Sequence, residues 1–239
     1  QREGKSLQKN RADFILAGGT EAPVTPYALL CCNTNGSLSK KNDSPTAAYR
    51  PFDKKRDGFV IAEGSGTLLL ESQERAQQRG VPVFAYIKGF AANSDGYDRI
   101  APERSGKELA RAIQMCMDEA GYKKDDIDYI CLDGAATKEG DESEYNALKT
   151  VFDGQVSKIP MSAPKSIFGN LLGASGVMDV AATIMGMQSD LIPPMLNCDD
   201  PEFDLDFVKD KAREGQIKKA LVISRGRGGV NIVLALEKA

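Results

Sequence analysis

Three short stretches carry the side chains that bear on chemistry. Asp133-Gly134-Ala135-Ala136-Thr137 follows the apolar run Tyr129-Ile130-Cys131-Leu132. Lys165-Ser166-Ile167-Phe168-Gly169-Asn170 opens an Ala- and Met-rich stretch that runs on through Gly173-Ala174-Ser175-Gly176. Arg225-Gly226-Arg227-Gly228-Gly229 stands near the end. Together they offer a carboxylate, an ammonium, a side-chain amide and two guanidinium groups. An ionised Asp133 only accepts hydrogen bonds, whereas Asn170 also donates through its amide. The chain contains no histidine, which removes the commonest general acid or base. Its five cysteines, Cys31, Cys32, Cys116, Cys131 and Cys198, show no CxxC spacing. That pattern argues against zinc and against a thiolate activated by a neighbouring imidazole.

These side chains invite pairing. Asp133 is expected to meet Arg225 or Arg227 in a buried ion pair, and Lys165 to hold its loop through a carboxylate such as Glu144. The glycines at 18–19 and 226–229 fit neither a Walker loop nor a dinucleotide fingerprint, so they are expected to be tight turns. Adjacent Cys31 and Cys32 would form a strained disulfide, so packing is expected of them, as of Cys116 and Cys131. Lys209, Lys211, Arg213, Lys218 and Lys219 form a basic stretch suited either to solvent or to an acidic partner.

The elements that position these groups alternate. Residues 14–17 read as a buried strand entering the turn at Gly18-Gly19. Residues 59–71 read as a strand with close backbone approach at Gly64 and Gly66. Residues 72–80 form a polar helix stopped by Gly80, followed by a strand at 83–91 and a polar irregular segment at 95–105. An amphipathic helix spans 105–121, with Leu109, Ile113, Met117 and Ala120 on one face. A strand at 128–132, a helix at 139–152 and a short strand at 159–163 come next. Residues 171–189 read as a helix too apolar for a surface, and strands at 220–224 and 230–236 flank a glycine turn. This alternation implies an α/β fold with a mainly parallel sheet.

Composition sets further bounds. The 239 residues, 41% apolar and 27% charged, suit a globular chain. A net charge of −3 argues against nucleic acid as the main partner. No apolar run of about 18 residues reads as a membrane span, and residues 1–12 show no leader pattern. An odd number of cysteines without a leader suits reduced thiols in the cytoplasm.

Five segments in order resemble the thiolase-like β-ketoacyl synthases. The first is Ala12-Asp13 with Gly18-Gly19-Thr20-Glu21-Ala22-Pro23. The second is Pro51-Phe52-Asp53-Lys54-Lys55-Arg56-Asp57-Gly58-Phe59 with Glu63-Gly64-Ser65-Gly66. The Asp133 motif, the Lys165 motif and Gly226-Arg227-Gly228-Gly229-Val230-Asn231 complete the set. In that family the two central motifs read His-Gly-Thr-Gly-Thr and Lys-Ser-x-x-Gly-His-x-x-Gly-Ala-x-Gly. Asp133 and Asn170 therefore stand at the two histidine positions, and Lys165 is retained. Arg225 and Arg227 stand where ketosynthases carry phenylalanines, one of which gates the active site. Asp-Gly-Ala-Ala, Ala-Pro-Lys and Ser-Arg-Gly-Arg-Gly-Gly are similar to the chain-length factor (KSβ), the non-condensing subunit of type II polyketide synthases.

The resemblance implies a layered α/β/α fold with mixed, mainly parallel sheets, and only the C-terminal portion of the duplicated thiolase-like fold. Residues 1–95 would end the N-terminal half and residues 96–239 would form the C-terminal half. The nucleophile of active relatives precedes Ala12-Asp13, so the rest of the N-terminal half is expected on a separate chain or removed. Decarboxylative condensation needs that nucleophile and neutral imidazoles that donate to the enolate. An ionised Asp133 would repel the enolate. The implied function is a non-catalytic subunit in a pseudo-twofold heterodimer with a condensing ketosynthase, helping to shape a polyketide tunnel. The polyketide would ride on the phosphopantetheine of an acyl carrier protein, with no cofactor, metal, nucleic acid or membrane. The alternative is a divergent ketosynthase or malonyl-carrier-protein decarboxylase, its nucleophile elsewhere and Asn170 as donor.

Overall fold

The computed structural model describes residues 12–239; most of the stretch read for a leader lies outside them. Chain order begins with strand β1 (Phe14–Glu21) and helix α1 (Pro26–Thr34), then β2 (Gly64–Glu71), α2 (Gln73–Arg79) and β3 (Ala85–Ser94). There follow α3 (Lys107–Ala120), β4 (Tyr129–Cys131), α4 (Lys138–Phe152), β5 (Met161–Ser162), the single turn α5 (Lys165–Phe168) and α6 (Ser175–Ser189). Short strands β6 (Leu191–Ile192) and β7 (Arg213–Glu214) precede the hairpin of β8 (Lys219–Gly226) and β9 (Val230–Lys238).

Local chemistry sets the ends of these elements. Thr25 caps α1 through its side chain with Pro26 at the first position, and Ser72 caps α2, which Gly80 stops at φ 64°. Leu109, Ile113 and Met117 bury one face of α3 against β3, β9 and α4.

β3, β9, β8, β4 and β5 form one five-stranded sheet in that order. α3 and α4 share the core on one side of it, while α6 packs on the other side through Val180 and Met187. The antiparallel pair β1–β2 lies beyond α6, and a Cβ on Gly66 would stand 2.9 Å from Val177. The layering is thus α/β/α, as expected. The sheet, however, is not mainly parallel. Only β8–β4 and β4–β5 are parallel, and the long ladders β3–β9 and β8–β9 are antiparallel. A short turn at 227–229 closes the hairpin, and a two-residue-scale turn permits only antiparallel pairing.

Two local readings are corrected. Gly18 and Gly19 make no turn; they continue β1 opposite Thr67 and Gly66. Their missing side chains serve close approach, because a Cβ on Gly19 would stand 2.7 Å from the carbonyl oxygen of Gly173. β1 is also not fully buried, since Leu16 is 68% exposed. The apolar stretch at 171–189 starts with a 3-10 turn at Leu172–Ala174 and leaves Met185 71% exposed. It is apolar because it packs between two β layers, with one side left open. Finally, β3 hydrogen-bonds only to β9, so the sheet pairing breaks at 80–84, earlier than the division expected at 95.

Candidate functional site

β4 runs out at Leu132 and delivers Asp133 into the end of the sheet. The loop after it is pinned by two carboxylates on α4. Glu144 accepts the backbone N–H of Asp133 (2.8 Å) and of Gly134 (3.0 Å) through separate oxygens. Asp141 accepts the N–H of Ala136 (2.9 Å) and of Phe52 (2.6 Å), and pairs with Arg56 Nε at 3.1 Å. This tethering holds Gly134 and Ala136 in the left-handed region, at φ 53° and 55°. Burial pushes Asp141 up to about 7 and Glu144 up to about 8, against the hydrogen bonds and the nearby Arg56 and Arg225 charges.

Lys165 is fully buried and its three N–H bonds are all spent. Nζ donates to Asp179 Oδ2 (2.6 Å), to Asp133 Oδ1 (3.1 Å) and to the Asp133 carbonyl (3.1 Å). Burial alone would lower this ammonium's pKa, but Asp133 and Asp179 outweigh it and hold the group well above its usual range. The expected Lys165–Glu144 link is therefore replaced by Lys165–Asp179, because Glu144 is consumed by the loop backbone. Asp179 escaped the sequence reading. The available signal was a single carboxylate inside the apolar stretch of α6, a position that demands a partner.

Asp133 receives a second hydrogen bond from the Arg225 main chain (3.1 Å), not from its guanidinium. The expected Asp133–arginine ion pair does not form. The Arg225 side chain turns to Asn231 Oδ1 (2.9 Å), the Gly140 carbonyl (3.3 Å) and Asp95 Oδ2 (3.4 Å). Asn231 completes that network by donating to Asp95 Oδ1 at 2.7 Å. Arg227 points elsewhere, its Nη2 lying 3.3 Å from Cys32 Sγ. Gly226 closes β8, and Gly228 and Gly229 adopt φ 78° and 74°, the turn expected of them.

Asn170 follows α5. Its Oδ1 accepts the Leu172 N–H (2.9 Å) and the Ser175 hydroxyl (3.2 Å), so its NH2 is turned outward. No thiol joins the cluster as a nucleophile. Cys131 lies beside Asp179, but burial pushes its thiol well above the ordinary range, opposite to activation. All five cysteines are free.

The basic stretch disperses. Arg213 forms a bidentate pair with Asp206, and Lys219 is held by Asp126 and lies over the Tyr122 ring. Lys209, Lys211 and Lys218 make no ion pair among the described residues. No hydrogen bond or ion pair joins 209–213 to 218–219.

The cluster is therefore a satisfied polar core in which the cations are saturated and the carboxylates accept. One atom is an exception: Asp179 Oδ1 is buried with no partner among the described residues. Burial raises this carboxyl to about 6 although Lys165 opposes the shift, and the bare oxygen is where the proton would sit. A raised carboxyl is held more tightly in the folded state. Its contribution is complete below its ordinary pKa of 3.8 and is lost as pH rises through about 6. Asp179→Asn removes that titration while keeping an acceptor for Lys165. Between about pH 4 and pH 7 the natural protein should lose on the order of 2–3 kcal/mol relative to this variant. Urea unfolding at the two pH values measures it, and a constant difference would mean that Asp179 stays ionised throughout.

Comparison with known proteins connects this geometry to a lineage. Residues 84–199 match the β-ketoacyl synthase C-terminal domain and residues 3–76 the β-ketoacyl synthase N-terminal domain, so the chain is not a C-terminal portion alone. The chain is 39% identical over 234 residues to a 3-oxoacyl-[acyl-carrier-protein] synthase 2 of Synechocystis sp., covering 97% of this chain and 56% of that protein. It is 36% identical to the tetracenomycin polyketide synthase ketoacyl synthase alpha subunit of Streptomyces glaucescens, covering 97% of this chain and 55% of that one. The chain thus spans little more than half the length of these relatives. Among solved structures, it superposes with a TM-score of 0.96 and 32% identity on a type II polyketide synthase acyl-carrier protein in complex with its ketosynthase bound to the hexaketide, covering 100% of this chain and 59% of the matched one. The ishigamide ketosynthase/chain length factor gives 0.90 and 30%, covering 98% and 56%. Among the described residues no helix is long and apolar enough to cross a membrane.

Proposed function

The chain is a homologue of the β-ketoacyl synthases with their thiolase-like fold, and from that premise we propose that it serves as a non-catalytic chain-length-factor subunit in type II polyketide biosynthesis. It pairs with a condensing ketosynthase and helps shape the tunnel that holds a polyketide on its acyl carrier protein, in the cytoplasm and without a cofactor. One observation carries this reading. Asp133 stands where active relatives present an imidazole, and it accepts from an ammonium whose three donors are all occupied. Enolate charge developing there would meet a carboxylate and no free donor. Asn170, with its outward NH2, supplies at most one of the two donors. Gly226-Arg227-Gly228-Gly229 and Arg225 form the floor of the vestigial cleft, and Arg225 fills it through the pairs to Asp95 and Asn231.

The second reading, a divergent ketosynthase or malonyl-carrier-protein decarboxylase, draws on the condensing relatives and on the Asn170 amide. Co-expression with a candidate ketosynthase, followed by intact-mass measurement of the purified complex, tests the pairing. We expect a stoichiometric complex of the two chains. A chain that elutes without the ketosynthase would overturn it.

A further inference from the structure

α1 is apolar around its whole circumference, Pro-Tyr-Ala-Leu-Leu-Cys-Cys, yet only Cys32 is buried. Tyr27 is 79% exposed and Leu30 61% exposed. A helix of that composition is ordinarily covered on all sides. Beside it runs a groove of about 380 Å³, whose apolar wall is Pro26, Leu29, Leu30 and Leu38 and whose polar rim is Asn33, Ser39, Lys40 and Asn42.

The rim is cationic. Lys41 donates to the Lys55 carbonyl at 2.9 Å, which gathers Lys40, Lys41 and Lys55 at one end of the groove. No ion pair engages these three among the described residues. Lys54, next in sequence, is already paired with Asp200 at 2.7 Å. Two carboxylates stand nearby. Asp57 is occupied by the Ser39 hydroxyl and the Lys40 N–H, and Asp43 is exposed. On a chain of net charge −3, this end of the groove is a local excess of free ammonium groups beside uncovered leucines.

We propose that this groove is a docking surface for an acidic amphipathic helix, and that its occupant is the acyl carrier protein of the same synthase. An apolar wall with a cationic rim matches a helix that carries leucines on one side and carboxylates along the flank. The proposal rests on the chain's reading as a synthase subunit, and it replaces the dispersed 209–219 stretch as the surface for this partner.

The experiment uses the full protein assembled with its ketosynthase, and the cognate carrier protein in its apo form, so that no phosphopantetheine arm contributes. Fluorescence anisotropy at low and high salt measures affinity. Binding to the natural complex should weaken as salt rises. Lys40→Glu with Lys55→Glu should weaken it by about ten-fold or more, and so should Leu30→Asp. Lys209→Glu with Lys211→Glu should leave it within about two-fold. A weakening confined to the 209–211 variant, an unchanged affinity in the 40/55 variant, or no binding to the natural complex overturns the proposal. Co-elution of each variant with the ketosynthase is recorded alongside. Loss of pairing in the natural chain would fail the subunit reading instead, and loss only in a variant is met by judging Leu30→Asp and the lysine pair separately.

Discussion

Replacing Lys165 by methionine is expected to cost about 3–5 kcal/mol of folding stability, a loss large enough to threaten the native state. The ammonium lies between Asp133 and Asp179 with almost no solvent contact. Removing it strands two carboxylates in a region where water cannot replace the lost partner. Lys165→Met combined with Asp133→Asn and Asp179→Asn should recover much of the loss, since the charges vanish together and a neutral cluster carries a smaller desolvation penalty. Double-mutant cycles by chemical denaturation separate the partners. Asp133 should couple strongly to Lys165 and weakly to the Arg225 side chain, because Arg225 meets Asp133 through a main-chain N–H that Arg225→Met retains. A loss below about 1 kcal/mol for Lys165→Met would mean that water reaches and screens the cluster.

The second large effect concerns catalysis. Assembled with a ketosynthase partner whose own nucleophile has been removed, the protein should release carbon dioxide from malonyl-carrier protein no faster than about ten-fold above the uncatalysed background. Asp133→His with Asn170→His should not raise that rate. A histidine at 133 would face Lys165 and the Arg225 N–H, both donors, and would lose the acceptor geometry that Asp133 provides. The Arg225 guanidinium would still fill the cleft through Asp95, Gly140 and Asn231. Substantial release by the natural protein would favour the decarboxylase reading. Release only by the double variant would mean that the two substitutions alone abolished catalysis and that the rest of the site is intact.

What was legible in the sequence is what local chemistry decides. The caps at Ser72 and Gly80, the amphipathic face of α3 and the turn at 226–229 follow from side-chain hydrogen bonding, helical periodicity and glycine's freedom at positive φ. So does the identity of the cluster, because Asp133, Asn170 and Lys165 sit in motifs of fixed spacing, and a chain without histidine cannot present imidazole donors. Pairing was a different matter. Asp133 was expected to meet an arginine and Lys165 to meet Glu144, since charge and motif order say which groups can attract and not which ones face each other. Only the packing of α6 against the sheet brings Asp179 to Lys165 from fourteen positions away. Only the fold of the 133–136 loop spends Glu144 on backbone N–H groups. Sheet direction was misread for the same reason, because β3 and β9 pair across more than a hundred residues and no local pattern records that. Gly18-Gly19 resembles a turn in sequence, yet it is a straight strand whose glycines make room for the Gly173 backbone. The sequence determined which groups are present and how each segment bends. Burial and long-range packing decided which charges meet, because the energy of an ion pair depends on distance and solvent exclusion, and neither exists until the layers close.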